Sequence, residues 1–207
     1  VRLRILTLNN LIFAFILLLC AGIGASAVTT TDPTWVKWHF SQLGEGGTLS
    51  AHMFNATMIL SGLMLWLYAA QLRSAMMRHL SRHQVADFVH LYRLIFRSLG
   101  VALAGVGLVA RDQHLLLHDI FGYGVFTLCV LLVFGSALIP QFFPRDLQMY
   151  SAGATIITLI LWAIHAGFQG NIVSMTQVEI VGATGMFVWL WLFTSHITSN
   201  SLRNPAN

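Results

Sequence analysis

The stretch LTLNNLIFAFILLLCAGIGASA, Leu6–Ala27, carries no charged side chain over 22 residues. Rising about 1.5 Å per residue, a helix of that length covers the ~30 Å hydrocarbon core of a bilayer. Five more apolar stretches follow: Ala51–Gln71, Leu94–Ala110, Asp119–Ile139, Tyr150–Phe168 and Val178–His196, with Leu91 extending the short third one. Backbone groups in hydrocarbon must be paired internally, and no alternating pattern of about ten residues suggests a barrel. The sequence therefore predicts an all-α, polytopic membrane protein, a single six-helix transmembrane domain over residues 1–207.

Composition agrees. Charged residues make up 9% of the chain and apolar ones 57%, against roughly 25% charged in a soluble domain. Eighteen charges, 11 basic and 7 acidic, cannot cover a soluble globule of this size, which excludes a soluble enzyme, a disordered chain and a nucleic-acid partner. The bilayer itself is the first partner. With the N-terminus inside, Arg2, Arg4, Arg73, Arg78, Arg82, Arg93, Arg97, Arg145 and Arg203 face the cytoplasm, and only Lys37 and Arg111 lie outside. That asymmetry predicts an N-in/C-in topology. Arg2, Arg4 and Ala25-Ser26-Ala27 also fit a cleavable signal, but the apolar run is long for one, and a retained first helix is expected.

Two further expectations concern the inner side. Val85, Phe88, Val89 and Tyr92 fall at i, i+3, i+4, i+7 near Arg78 and Arg82, the spacing of an interfacial amphipathic helix; a solvated loop reads equally well. No charge is expected at mid-membrane, which argues against a proton relay within the bilayer. Cys20 and Cys129, in different helices, read as apolar packing residues.

The chemistry gathers at the outer side. His52 opens the second span with Asn55 one turn deeper; His114 and His118 are spaced i, i+4 at the entry to the fourth, beside Asp112 and Asp119. His165 ends the fifth span and Glu179 begins the sixth. Ionisable groups in a membrane usually point into the bundle, so these predict a His/carboxylate pocket at the outer leaflet. Three readings stand. His52, His114, His118 and His165 could supply three ligands to a zinc ion, whose bound water would attack a lipid ester or amide, with Asp112, Asp119 or Glu179 as orienting groups. A pair from His52, His118 and His165 could bind a b-type haem. Or the groups hydrogen-bond loops and one another, leaving a pocket for a lipid headgroup, small ligand or membrane-protein partner. The last is the leading, non-enzymatic expectation. In the first outer loop, His39-Phe40-Ser41-Gln42-Leu43-Gly44-Glu45-Gly46-Gly47, Ser41 could be a nucleophile with His39 or His52 as base, but no nucleophile elbow surrounds it. A structural capping loop is preferred.

Ser41-x-Leu43-Gly44, then Phe54-Asn55 and Gly62 in an apolar run, and a histidine opening the fourth span (His118) resemble the bacterial six-helix membrane family catalogued as domain of unknown function 998. The likeness spans roughly residues 5–197 in helix count and loop sizes. Gln42 departs from it where the family often has an acid, and Arg111-Asp112 where it has a proline. The resemblance implies a multi-pass protein of the bacterial plasma membrane, marks Ser41, Gly44, Asn55 and His118, and implies no established reaction. In outline the family is similar to eukaryotic six-helix proteins of lipid remodelling and autophagy.

Overall fold

A computed structural model describes residues 7–76, 85–139 and 142–203. Six helices account for most of them: α1 (Leu8–Thr29), α2 (Leu49–Met76), α3 (Val85–Leu108), α4 (Leu115–Ala137), α5 (Arg145–Gly167) and α6 (Met175–Arg203), with 3-10 turns at Pro33–Lys37 and Phe40–Gly44. All six helices are long and apolar enough to cross a membrane.

Local chemistry sets the helix ends. The Thr7 hydroxyl accepts from the Asn10 amide at 3.2 Å to cap α1, and Thr48 does the same for Ala51 at the start of α2. Before α6, Ser174 and Gln177 exchange bonds: the Ser174 amide donates to the Gln177 side chain at 2.9 Å and the Gln177 amide to the Ser174 hydroxyl at 3.3 Å, a capping box. After α5 the chain turns through Gln169 (φ 50°) and Gly170 (φ 78°), where the Gly170 amide closes onto the His165 carbonyl at 2.9 Å.

Each helix packs against its neighbours in sequence, and α6 returns to α1, so the six close into a ring. The tightest seam joins α2 and α3. A Cβ on Gly100 would sit 2.7 Å from the Gly62 carbonyl oxygen, so glycine is what lets these backbones meet. Away from the 3-10 turns, an aromatic plug fills the ring: Phe96, Trp189 and Phe193 are fully buried, Phe193 stacks on Tyr92 and Trp189, and Tyr68 and Phe143 meet Phe96 and Phe193 at tilted angles. Within it, Tyr68 and Thr194 share a hydrogen bond of 2.8 Å, and Tyr92 and Ser136 one of 2.9 Å.

Two expectations are corrected here. Phe88, Val89 and Tyr92 do not lie on a lipid surface: they are the buried first turns of α3, only 7%, 2% and 2% exposed, packed on Phe142 and Phe143. A buried helix stripe has the same period as an interfacial one, so spacing alone could not separate them. Arg78 and Arg82 lie outside the described residues. The third span therefore begins earlier than expected, at Asp87; Arg93 and Arg97 lie within it, as the stretch extended to Leu91 already implied. Neither is bare: Arg93 Nε donates to the Ala69 carbonyl at 3.1 Å, and the Arg97 guanidinium lies 5.4 Å from the centroid of the Trp66 ring.

Candidate functional site

Opposite the aromatic plug, the first inter-helix loop folds over the ring. Three bonds tie it to the start of α6. The Thr176 amide donates to the Trp38 carbonyl at 3.1 Å, the Thr176 hydroxyl to the Trp35 carbonyl at 2.9 Å, and the Phe40 amide to Glu179 Oε2 at 2.7 Å. Trp35 stacks on Phe40 at 5.9 Å. On the other flank the Gly46 amide donates to Asp112 Oδ2 at 3.0 Å, and Asn55 Nδ2 donates to the Gly44 carbonyl at 3.1 Å. A Cβ on Gly44 would meet Asn55 Oδ1 at 2.6 Å and Phe54 at 2.8 Å, so this loop seats against α2 only with glycine there. Asp32 gathers the loop from within: it accepts from the Thr34 hydroxyl and amide and from Gln42, bonds that hold its carboxyl below the usual range.

Beneath the loop the helices form a partly open chamber of about 710 Å³ lined by residues of all six helices. Its loop end is polar, with His39, Ser41, Arg111, His118, Asp119, His165 and Glu179; its floor is apolar, reaching Leu65, Leu99, Val133 and Leu190. From Glu179 to Leu190 is eleven residues, about 16 Å along α6. That matches one leaflet of a ~30 Å hydrocarbon core.

The polar groups are individually held. His118 is 4% exposed, with Nδ1 2.6 Å from the Val109 carbonyl oxygen. His165 Nδ1 lies 2.9 Å from the Val173 carbonyl oxygen. Arg111 Nε faces Asp119 Oδ1 at 3.4 Å. His39 Nδ1 and Ser41 Oγ are 2.8 Å apart. Burial, helped by the neighbouring Arg111 and His118, pushes the His39 imidazole down to about 4, so the ring is neutral at physiological pH. Burial raises the Glu45 carboxyl, against the pull of Arg111.

Of the residues the sequence singled out, Ser41, Asp119, Glu179, His118 and His165 share the chamber. Gly44, Asn55 and Asp112 instead pin the loop above it. His52 is exposed on α2, and His114 is exposed at the cap of α4 with φ −143° and ψ 76°. The i, i+4 relation of His114 to His118 therefore never becomes a shared helical face, because the helix begins one residue too late. Among the described residues no three His, Cys, Asp or Glu side chains form a group able to hold a metal ion, so the proposed zinc set of His52, His114, His118 and His165 is not assembled. Of the haem candidates, His118 and His165 share the chamber and His52 does not. Cys20 and Cys129 are free thiols, Cys129 in the chamber wall.

Arg111 and Thr155 are chamber residues that sequence reasoning did not select. Arg111 counted only as an outer charge, though Asp119 eight residues on was a visible partner. Thr155 gave no signal, since a hydroxyl in a helix ordinarily bonds its own backbone. No family model, curated protein or solved structure matches the chain.

Proposed function

We propose that this chain is a multi-pass plasma-membrane protein, both termini cytoplasmic, that holds one amphiphilic molecule in its chamber, polar head under the first loop and apolar tail towards the aromatic plug. The observation that carries this reading is the chamber's polarity: ionisable groups at one end, hydrocarbon for about 16 Å below them. Its volume of about 710 Å³ falls within the ~300–1,000 Å³ of sites that engulf small ligands. Thr155 adds weight. It is 4% exposed, lines the chamber, and its hydroxyl has no partner, whereas Ser151 and Thr158 on the same helix bond back to Leu147 and Ala154 at 2.6 and 2.9 Å. A buried unpaired hydroxyl costs about 1–3 kcal/mol, and a polar linkage in the occupant would relieve that cost.

The positive-inside asymmetry of the loops supports an extracytoplasmic position for this end. Membership of the family of domain of unknown function 998 belongs to the same proposal; of its marked positions, Ser41 and His118 line the chamber, while Gly44 and Asn55 seat its lid. The test is photo-crosslinking of the purified protein in nanodiscs with a fatty-chain probe bearing a mid-chain diazirine. Adducts on α4, α5 and α6 facing the chamber support the reading. Adducts confined to the lipid-exposed residues Leu116, Ile120 and Ile156 would defeat it.

A further inference from the structure

At the end of the ring away from the first loop, three arginines meet with no acid to answer them. Arg93 and Arg97 are spaced i, i+4 and share one face of α3. Arg73 stands in the last turn of α2, and both it and Arg97 repel Arg93. Asp87 and Asp146, the described acids at this end, sit in the first turns of α3 and α5. Neither pairs with an arginine: the ion pair among the described residues is Arg111 with Asp119. Arg73 complements the carboxyl end of its own helix, but Arg93 and Arg97 have no such reason for their position. Counted from Asp87, where the third span begins, they lie about 9 and 15 Å along α3, which takes Arg97 to the middle of a ~30 Å hydrocarbon core. A charge at that depth is costly and ordinarily pairs or reaches for the interface. The protein satisfies these two only in part. Arg93 gives Nε to the Ala69 carbonyl, leaving its terminal nitrogens; Arg97 rests its guanidinium on the Trp66 ring, and its buried Nε has no partner. Trp66 and Leu94 beside them are 44% and 54% exposed and do not line the chamber, so this seam of α2 and α3 faces outward, on to lipid.

We infer that Arg73, Arg93 and Arg97 form a site on the outside of the ring for the phosphate of an anionic phospholipid, whose chains lie along Trp66 and Leu94. The inference goes beyond the chamber reading and does not depend on it. A guanidinium presents two parallel N–H groups to two phosphate oxygens, a match that a lone ammonium lacks. The Cα–Cβ bonds of α3 tilt towards its N-terminus, so both arginines lean towards the headgroups of the leaflet at that end, where a lipid phosphate meets them. Three cations without an acid favour a lipid of net negative charge over a zwitterionic one, whose ammonium would add a fourth cation. Under the proposed topology this is the cytoplasmic leaflet.

The test uses the full chain in nanodiscs of phosphatidylcholine with rising fractions of phosphatidylglycerol, either lipid carrying brominated chains that quench tryptophan on contact. The Trp66 signal is the parent's minus that of Trp66→Phe. Lipid at an outward site exchanges with the bulk, so the preference is read at equilibrium. Phosphatidylglycerol should reach Trp66 with a binding constant at least about tenfold above that of phosphatidylcholine. Arg93→Gln and Arg97→Gln should each lower that ratio about fivefold, one arginine's share near a membrane surface. Arg97→Lys keeps the charge without the fork and should fall between parent and glutamine variant, which keeps the test readable if the latter fails to fold. Arg145→Gln removes an exposed basic residue at the same end and should leave the ratio within about twofold. A parent ratio near one overturns the inference; so does an equal fall in Arg145→Gln, which marks diffuse surface charge. Excess glycerol phosphate should not compete, and displacement by it would assign the arginines to a soluble anion and overturn the lipid. Gly122 lines the chamber with nothing within 4 Å of a built Cβ, so Gly122→Phe fills the chamber and should leave the ratio unchanged. Loss of the ratio in that variant would move the lipid into the chamber, ending this inference while supporting the chamber reading.

Discussion

Glu179→Ala tests how the lid over the chamber is held. The carboxyl oxygen accepts the Phe40 amide at 2.7 Å, a bond across 139 positions of sequence. Truncation leaves that partly buried amide without its partner, at a cost of about 1–3 kcal/mol. The two bonds from Thr176 to Trp35 and Trp38 remain, so the loop loosens locally while the ring stays closed. Hydrogen exchange at the Phe40 amide should therefore accelerate by roughly 5- to 150-fold, since each 1.4 kcal/mol is a factor of ten. The aromatic plug should keep its protection. Glu179→Gln retains an acceptor oxygen and should accelerate exchange by less than about tenfold. Peptide-resolved exchange of the protein in detergent reads both. Unchanged exchange at Phe40 in the alanine variant, or equal acceleration in both variants, would refute the reasoning that this one oxygen holds the loop down.

Other consequences follow from the same geometry. Gly100→Ala drives a Cβ to 2.7 Å from the Gly62 carbonyl and should destabilise the α2–α3 seam by about 1–3 kcal/mol, whereas Gly124→Ala, whose Cβ meets Ala102 at an ordinary 3.6 Å, should leave the melting temperature within a degree or two. The His39 imidazole is pushed down from 6.5 to about 4 in the folded chain; its contribution to stability is full above 6.5 and is lost as pH falls through that range towards 4. A His39→Asn variant should show a flatter melting-temperature profile between pH 6.5 and 4 than the parent. Gln113, exposed in the α3–α4 turn, should react from outside intact cells with an impermeant maleimide when changed to cysteine, above the signal of the parent chain; labelling only after permeabilisation would reverse the topology.

Much of this molecule is written in the order of its residues. The six helices follow from runs that only a bilayer explains, and the gathering of His118, His165, Asp119 and Glu179 at one end follows from up-and-down threading, which puts alternate loops together. Legibility stops where a side chain's direction decides. His114 and His118 look alike in sequence, yet one caps a helix in the open and the other is buried against Val109. Asn55 and Asp112 read as pocket groups because they are polar at the right depth, but backbone groups of the first loop claim both. The stripe through Phe88, Val89 and Tyr92 has one period for two environments, and the aromatic partners that choose between them, Phe142, Phe143 and Phe193, lie 50 to 105 positions away. The chamber itself is a property of the closed ring, which no single segment encodes.

The most direct test of the central claim is native mass spectrometry of the full chain released from nanodiscs, parent beside Gly122→Phe. A chamber that holds one amphiphile predicts a retained adduct of one lipid-sized mass per parent chain, absent from the variant. A parent chain that sheds all lipid, or a variant that keeps the same adduct, would contradict it.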